Sequence, residues 1–135
     1  MFVVDASVTL AWCLDDESSA AADAVLDLFA AEEAMAPAIW PLEVANALRS
    51  AERRGRITVA DTSRIRELLL GLPIRVEPMT LGAALSEVTD LARHLELSAY
   101  DAAYLALAAR RGLPLATMDA RLRDACGVIG VPLVA

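Results

Sequence analysis

The sequence predicts an α/β protein, a three-layer α/β/α fold around a central, mostly parallel sheet of four to five short strands. Two observations indicate this fold class. Short apolar runs alternate with helical patterns, and no repeat, low-complexity linker or domain boundary interrupts the alternation. Helices that separate strands favour a parallel sheet with helices on both faces. At 135 residues the chain suits one domain, which we predict to span residues 1–135.

The first half of the chain alternates strand and helix from its second residue. In order, the predicted elements are strand 2–5, helices 7–14 and 18–33, strand 34–37, helix 40–54 and helix 59–71. Ser18 or Ser19 suits the N-cap of the second helix, because a hydroxyl accepts a hydrogen bond from a free N–H of the first turn. Gly55 suits the end of helix 40–54, and Thr58 with Asp61 has the pattern of a capping box.

The second half continues the same alternation. Its predicted elements are strand 74–78, a helix from Thr80 to about His94, a helix from Ser98 to Arg111, strand 114–118, helix 120–126 and strand 131–134. Gly112 suits the end of the helix before it, because glycine adopts the left-handed conformation that commonly follows a helix.

The apolar fraction of 57% raises the question of a membrane protein. Stretches without charged residues are short, such as 34–42 and 102–109, whereas a membrane helix needs roughly 20 apolar residues. No basic region precedes the first apolar residues, so the start does not resemble a signal peptide. We therefore predict a cytoplasmic protein with an Ala-rich helical interior and no membrane association.

The composition disfavours several kinds of site. All 12 basic residues are arginine, which excludes the lysine of a P-loop and lysine Schiff-base chemistry. A single histidine and no GxSxG motif disfavour a Ser-His-Asp hydrolase, and the two cysteines have neither metal nor redox spacing. Carboxylate chemistry remains, with 19 acidic residues and a formal net charge of −7.

Two aspartates follow predicted strands. Asp5 comes after the run FVV and Asp119 after PLATM, and each has a hydroxyl two residues away, on Ser7 and Thr117. In open parallel sheets, ligands bind outside the carboxyl ends of the strands, so these positions suit a site. The alternative is that both aspartates are only N-caps of the helices that follow them.

Two further acids lie on predicted helices in apolar surroundings. Asp101 is followed by alanines and leucines, and a buried carboxylate without a partner is costly. The alternative role of Asp101 is a capping box with Ser98. Glu43 has Asn46 one turn later on the same helix face, and its alternative role is ordinary solvated surface.

The four carboxylates are more informative as a set. If they meet, their charges repel, and a divalent cation would remove that repulsion. Oxygen ligands without His or Cys suit Mg²⁺ or Mn²⁺ rather than Zn²⁺. Such sites suit phosphodiester hydrolysis, because the metal lowers the pKa of a bound water and stabilises developing charge.

Four segments resemble the acidic motifs of PIN-domain ribonucleases, and most closely those of VapC toxins of bacterial type II toxin–antitoxin systems. They are VDASV at the N-terminus, PLEVANAL at 41–48, YDAAYLALA at 100–108 and LATMDARL at 115–122. Their order and spacing agree with that family over the whole chain.

The resemblance implies a PIN-like fold and a metal-dependent endoribonuclease that acts as a toxin. It assigns catalysis and Mg²⁺ (or Mn²⁺) binding to Asp5, Glu43, Asp101 and Asp119. It assigns supporting roles to three polar residues, Ser7, Asn46 and Thr117. It also implies an RNA substrate, a homodimer and a small antitoxin, with a larger toxin–antitoxin assembly as a further expectation. Asp124 is either a fifth, outer acid or helix surface.

Six of the 12 arginines fall between residues 49 and 66. They would offset the repulsion between a negatively charged protein and RNA phosphates. We predict backbone contacts with RNA from four of them, Arg49, Arg53, Arg54 and Arg56. The alternative is a solvated helical hairpin, in which case the RNA path lies around Arg110, Arg111, Arg121 and Arg123.

Two other functions fit parts of the pattern. An aspartyl phosphotransfer enzyme would use Asp5 as its nucleophile, but such sites generally have a second acid two residues later and a lysine, whereas position 7 is serine. A non-catalytic PIN-like binding partner in a protein complex would keep the fold without the chemistry. The complete set of four acids argues against that alternative.

Overall fold

The computed structural model describes residues 1–134 and contains a four-stranded sheet. Its strands are β1 (Phe2–Val4), β2 (Ala34–Pro37), β3 (Ile74–Glu77) and β4 (Leu115–Ala116), in the order β3-β2-β1-β4. Every pairing is parallel, with Phe2 opposite Ala34 and Val3 opposite Leu115. The predicted mostly parallel sheet of four to five short strands is confirmed.

Helices connect the strands. Within residues 1–134 they are α1 (Ala6–Cys13), α2 (Ala20–Asp27), α3 (Trp40–Arg53), α4 (Val59–Leu70), α5 (Leu81–Ala83), α6 (Thr89–Leu95), α7 (Ala99–Arg111) and α8 (Ala120–Ile129). Hydroxyl side chains cap α2, α4 and α7, and Thr58 forms the predicted capping box with Asp61. Gly112 ends α7 at a φ of 65°. The predicted order of elements is therefore confirmed as far as α8, with differences in the bounds and regularity of some helices.

The last predicted strand, 131–134, is not a full strand. Leu133 forms a single parallel bridge with Leu115. Pro132 lies inside the segment and has no backbone N–H, so it cannot extend a ladder of hydrogen bonds. The bridge therefore adds only one residue pair at the β4 edge of the sheet.

Two predicted helices also differ in detail. The helix predicted over 18–33 begins at Ala20, and after Asp27 it tightens into a 3₁₀ turn over Leu28–Ala30, as helices commonly do at their ends. Between α5 and α6 a π-helical turn covers Ala84–Val88, where the Thr89 hydroxyl donates to the Ala84 carbonyl at 2.7 Å. Hydrophobic periodicity does not reveal either change of helical pitch.

Helix α7 lies in the middle of the molecule. Its residues from Ala102 to Ala108 are all buried, and the helix contacts β1 and β2 as well as α6 and the π-helical turn. Four of these seven residues are alanine, whose small side chains allow close packing on several sides. This packing explains the scarcity of charge in the segment, and it fixes Asp101 just before the buried stretch.

None of the helices within residues 1–134 combines the length and the apolar run that crossing a bilayer requires.

Candidate active site

Asp5 and Asp119 lie at the carboxyl ends of adjacent strands, since β1 pairs with β4. Both also cap helices. The Asp5 Oδ1 atom accepts from the Val8 N–H at 3.0 Å, and Asp119 Oδ1 accepts from the N–H groups of Arg121 and Leu122 at 2.8 and 3.2 Å. The two interpretations of these aspartates are therefore compatible, because each cap uses only one carboxylate oxygen.

Ser7 and Thr117 connect the two turns that carry these aspartates. The Ser7 hydroxyl lies 2.7 Å from Asp5 Oδ1 and accepts from the Met118 N–H at 2.9 Å. The Thr117 hydroxyl donates to Asp5 Oδ2 and accepts from the Asp119 N–H at 3.0 Å. Each hydroxyl thus relays a hydrogen bond from the β4–α8 turn to the Asp5 carboxylate.

Asp5 is buried yet well supplied with donors. It is 3% exposed, and burial raises the pKa of its carboxyl. Hydrogen bonds from Thr117, Val8 and Ser7 lower that pKa, and the charge of Asp119 raises it. The pKa of Asp5 is raised overall, so in the metal-free protein the ionised carboxylate is disfavoured by its burial.

Asp101 occupies the first turn of α7. Its backbone N–H donates to the Ser98 hydroxyl at 3.1 Å, so the Ser98 half of the predicted capping box is present. Burial raises the pKa of the Asp101 carboxyl, and the charge of Asp119 raises it further, while Ser98 and Arg121 lower it. The charge of Asp119 therefore acts on both Asp5 and Asp101, which places the three aspartates in one electrostatic cluster.

Glu43 lies in the first turn of α3 and has a partner that the sequence did not predict. The Tyr104 hydroxyl donates to Glu43 Oε1 at 2.5 Å, and Tyr104 itself is 1% exposed. Burial raises the pKa of the Tyr104 phenol most, and the hydrogen bond to Glu43 and the charges of Glu43 and Asp5 raise it further. In the sequence, a single signal points to Tyr104, which lies one turn after Asp101 on the same helix.

The chemistry of these acids fits a hard divalent cation. All the donor atoms are oxygens, and Asp119 Oδ2 and Glu43 Oε2 accept no hydrogen bond from residues 1–134. As placed, no group of three or more Asp, Glu, His or Cys side chains in that range is close enough to hold one ion. Asp119 and Glu43 thus each keep one free oxygen, whereas both oxygens of Asp5 already accept hydrogen bonds.

The remaining predicted residues lie on surfaces around the acids. Asn46 is exposed one turn after Glu43, and both line a cavity of about 200 Å³. Asp124 is exposed on α8.

The predicted RNA-contacting arginines have different environments. Arg56 donates from Nη2 to both carboxylate oxygens of Asp16, at 2.7 and 2.8 Å, and Arg49 lies 3.5 Å from Glu52. Arg53 and Arg54 are exposed and form no ion pair with a described residue. Of the alternative set, Arg110 and Arg111 pair with Glu77, whereas Arg121 is near enough to Asp101 to lower the pKa of its carboxyl.

Comparison with known proteins identifies similar sequences over the whole chain. The family model of the PIN domain matches residues 2–128. A Mycobacterium tuberculosis protein named Ribonuclease VapC9 is 33% identical over 136 aligned positions, which cover 98% of this chain and 99% of that protein.

Solved structures share the fold. PAE2754 from Pyrobaculum aerophilum superposes with a TM-score of 0.69 at 27% identity, over 92% of this chain and 83% of that chain. A toxin–antitoxin complex from Klebsiella pneumoniae contains a chain with a TM-score of 0.69 at 18% identity, over 100% of this chain and 98% of that chain.

Proposed function

Because the chain belongs to the PIN-domain family, as a VapC-type member, we propose that it is an endoribonuclease acting as the toxin of a toxin–antitoxin pair. The relative from M. tuberculosis, which matches nearly the whole chain, is named a ribonuclease. The observation that carries the proposal is the electrostatic cluster of Asp5, Asp101 and Asp119 where β1 and β4 end. Glu43 completes the acidic set from α3.

We assign Mg²⁺ or Mn²⁺ binding to the four acids, Asp5, Glu43, Asp101 and Asp119. When bound, the ion would lower the pKa of a water and stabilise the charge that develops on the phosphate. The protein supplies anionic oxygens from four separate elements. Asp119 is close to two of the other acids, because its charge contributes to the raised pKa of both Asp5 and Asp101.

The polar residues around the acids have supporting roles. Ser7 and Thr117 fix the orientation of Asp5, since their hydroxyls contact both of its oxygens. Asn46 is exposed beside Glu43, and we propose that its amide hydrogen-bonds a nucleotide. The arginines that follow on α3, together with Arg121 beside Asp101, are the candidates for contacts with RNA phosphates, which position a nucleic acid without specifying its sequence.

Protein partners are also part of the proposal. We propose a homodimer and a small antitoxin in the cytoplasm, with the two assembling further. Apolar surface supports such partners: a cavity of about 650 Å³ lies between α3, α4 and β3, and one of about 290 Å³ lies near Met79 and Val88. Light scattering of the purified chain should give a mass near twice 14.3 kDa, and a mass of 14.3 kDa would contradict the dimer.

The test of the central proposal is cleavage of end-labelled RNA by the purified chain. Cleavage should require Mg²⁺ or Mn²⁺ and stop with EDTA, and full activity in EDTA would exclude the metal. No cleavage of any RNA, with Mn²⁺ bound or not, would favour the alternative of a non-catalytic PIN-like binding partner. Sequencing the RNA ends produced when the chain is expressed without its partner would identify the substrate.

A further inference from the structure

The hydroxyl of Tyr104 reaches the acidic site from inside the protein. Tyr104 lies on α7 one turn after Asp101, within the buried stretch of that helix. Its hydrogen bond of 2.5 Å ends on Oε1 of Glu43, 61 residues earlier in the chain. The contact therefore joins α3 and α7, the two helices that carry Glu43 and Asp101.

This phenol remains a hydrogen-bond donor at any physiological pH. The phenol of a tyrosine ordinarily ionises at a pKa of about 10. Because it keeps its proton, it does not compete with the acids as an anionic ligand. It occupies one oxygen of Glu43 and leaves the other oxygen, Oε2, without a partner among residues 1–134.

We propose that Tyr104 is a positioning residue that holds Glu43 in the orientation in which its free oxygen binds a divalent cation. This inference rests on the proposed function. Glu43 is half-buried, and ordering a glutamate side chain costs conformational entropy. A hydrogen bond from a fixed donor orders the side chain before the ion binds, so ion binding loses less entropy. Outer hydrogen-bond partners have this effect on the ligands of other metal sites.

A hydrogen bond can also compete with an ion for the same carboxylate. In that case, removal of the Tyr104 hydroxyl would strengthen metal binding. The hydrogen bond takes one of two oxygens, and the ring that provides it is fixed by burial. Orientation should therefore outweigh competition, and removal of the hydroxyl should weaken binding.

Calorimetric titration with Mn²⁺, without RNA, tests the proposal on Tyr104→Phe. Outer partners of metal ligands typically contribute about 10- to 100-fold to metal affinity or activity, and we expect a loss of about tenfold. The matched control is Thr62→Val, which removes a hydroxyl that donates to Glu52, another glutamate of α3 that lies outside the acidic set. The control should leave the Mn²⁺ affinity unchanged.

A second background separates positioning from a general effect on the fold. In Glu43→Ala, the further change Tyr104→Phe should cause no additional loss of Mn²⁺ affinity, because the ligand through which it acts is gone. Equal losses in both backgrounds would overturn the proposal. An unchanged or higher affinity in the single variant would overturn it as well.

Unnatural residues keep the test decisive if Tyr104→Phe does not fold. At position 104, 4-fluorophenylalanine fills the volume of the oxygen without a donor and should lose affinity. At the same position, 4-aminophenylalanine restores an N–H donor and should recover it. Failure of the amino variant to bind more tightly than the fluoro variant would contradict a role for the donor.

The behaviour of the wild-type chain distinguishes failure of this inference from failure of the proposed function. If the wild type binds Mn²⁺ and cleaves RNA while Tyr104→Phe binds Mn²⁺ equally well, only the inference fails. If the wild type neither binds Mn²⁺ nor cleaves RNA, the proposed function fails, and the inference fails with it.

Discussion

Single carboxylates in this site do two things at once. Asp5 and Asp119 each cap a helix through one oxygen, which stabilises the fold. Burial raises the pKa of both Asp5 and Asp101 most, and the charge of Asp119 adds to the rise in each, as expected for neighbouring acids that repel. Asp101 differs, because its backbone N–H rather than its carboxylate makes the cap bond with Ser98. Its charge can therefore be removed without loss of that bond.

Asp101→Asn should abolish RNA cleavage without weakening the fold. The amide keeps the size of the side chain and removes a charge that repels Asp119, so stability in EDTA should stay level or rise. Cleavage assays with Mn²⁺ and urea unfolding in EDTA measure the two effects. The matched control is Asp27→Asn, an exposed acid on α2, which should keep full activity. If Asp101→Asn retains cleavage, Asp101 is not catalytic and serves only at the N-terminus of α7.

The stability of the metal-free protein should also depend on pH through Asp101. Its folded-state pKa lies above the ordinary value of 3.8, because burial and the Asp119 charge disfavour the ionised form. The folded state thus binds a proton more tightly than the unfolded state, and the wild type loses stability as pH rises from about 3.8 through the raised pKa.

Asp101→Asn lacks this titration. Its stability relative to the wild type should therefore increase from pH 3.5 to pH 7, in roughly the range where a raised carboxyl pKa acts. Urea unfolding in EDTA at intervals of pH measures the difference. A difference that is constant with pH would show that the folded state does not perturb Asp101.

The sequence predicted contacts that depend on neighbours along the chain. Ser7 and Thr117 each lie two residues from an aspartate at a strand end, and each contacts that aspartate, Ser7 at a carboxylate oxygen of Asp5 and Thr117 at the N–H of Asp119. The hydrogen bond from Thr117 to Asp5 was not predicted, since it joins positions 112 apart. The Tyr104–Glu43 hydrogen bond was not predicted, because it depends on how α7 packs beside α3. The Asp16–Arg56 pair was missed for the same reason, since it joins segments 40 positions apart.

At the scale of elements, capping and turn chemistry explain most of the agreement between sequence and structure. Hydroxyl caps at Ser19, Thr58 and Ser98 mark three helix starts. The disagreements arise where hydrogen bonding departs from the regular pattern, as at Pro132 and in the π-helical turn beside Thr89. Apolar periodicity predicts which face of an element is buried, and it contains little information on the pitch of the helix.

Replacement of Arg53 and Arg54 by Gln should flatten the salt dependence of RNA binding. Both are exposed and form no ion pair with a described residue. The slope of log K against log salt is about −0.7 per neutralised phosphate of a single strand, so the loss of two contacts should change it by roughly 1 to 1.5 units. Glutamine retains good helix propensity, and an Asp101→Asn background prevents cleavage.

A charge-matched control for this experiment replaces Arg75 and Arg93 by Gln. These arginines lie on β3 and α6, where they pair with Glu33 and Asp90. The control should lower the net charge equally but leave the slope near that of the parent. If both pairs change the slope alike, the effect comes from overall charge, and the hairpin of α3 and α4 is only solvated.

At the scale of the whole molecule, the acidic site carries part of a net charge of −7. Such a site attracts cations of any kind, including the basic side chains of a protein partner. The antitoxin that we propose would meet both this charge and the apolar surface between α3 and α4. The antitoxin can thus act in two ways, by changing metal binding at the acids and by blocking the approach of RNA. Metal affinity measures the first of these effects alone.

The complex with the antitoxin should bind Mn²⁺ more weakly than the free chain. An antitoxin arginine that reaches the acids would compete with the metal and screen the same repulsion. Calorimetry with and without the partner measures the difference, and chain refolded without partner serves as the reference. Equal affinities would mean that the antitoxin inhibits by covering the path of the RNA and leaves the acids unchanged.

The hydrogen bond between Thr117 and Asp5 joins positions 112 apart. The ribosome makes Asp5 112 residues before Thr117, so this hydrogen bond cannot form until Thr117 has been added to the chain. Closing so long a loop also costs entropy, which delays such contacts during folding. A nascent chain that has not reached residue 119 lacks Asp119 and the Thr117 hydroxyl that contacts Asp5. Such a chain is still attached to the ribosome, which is built largely of RNA, while its acidic set is incomplete.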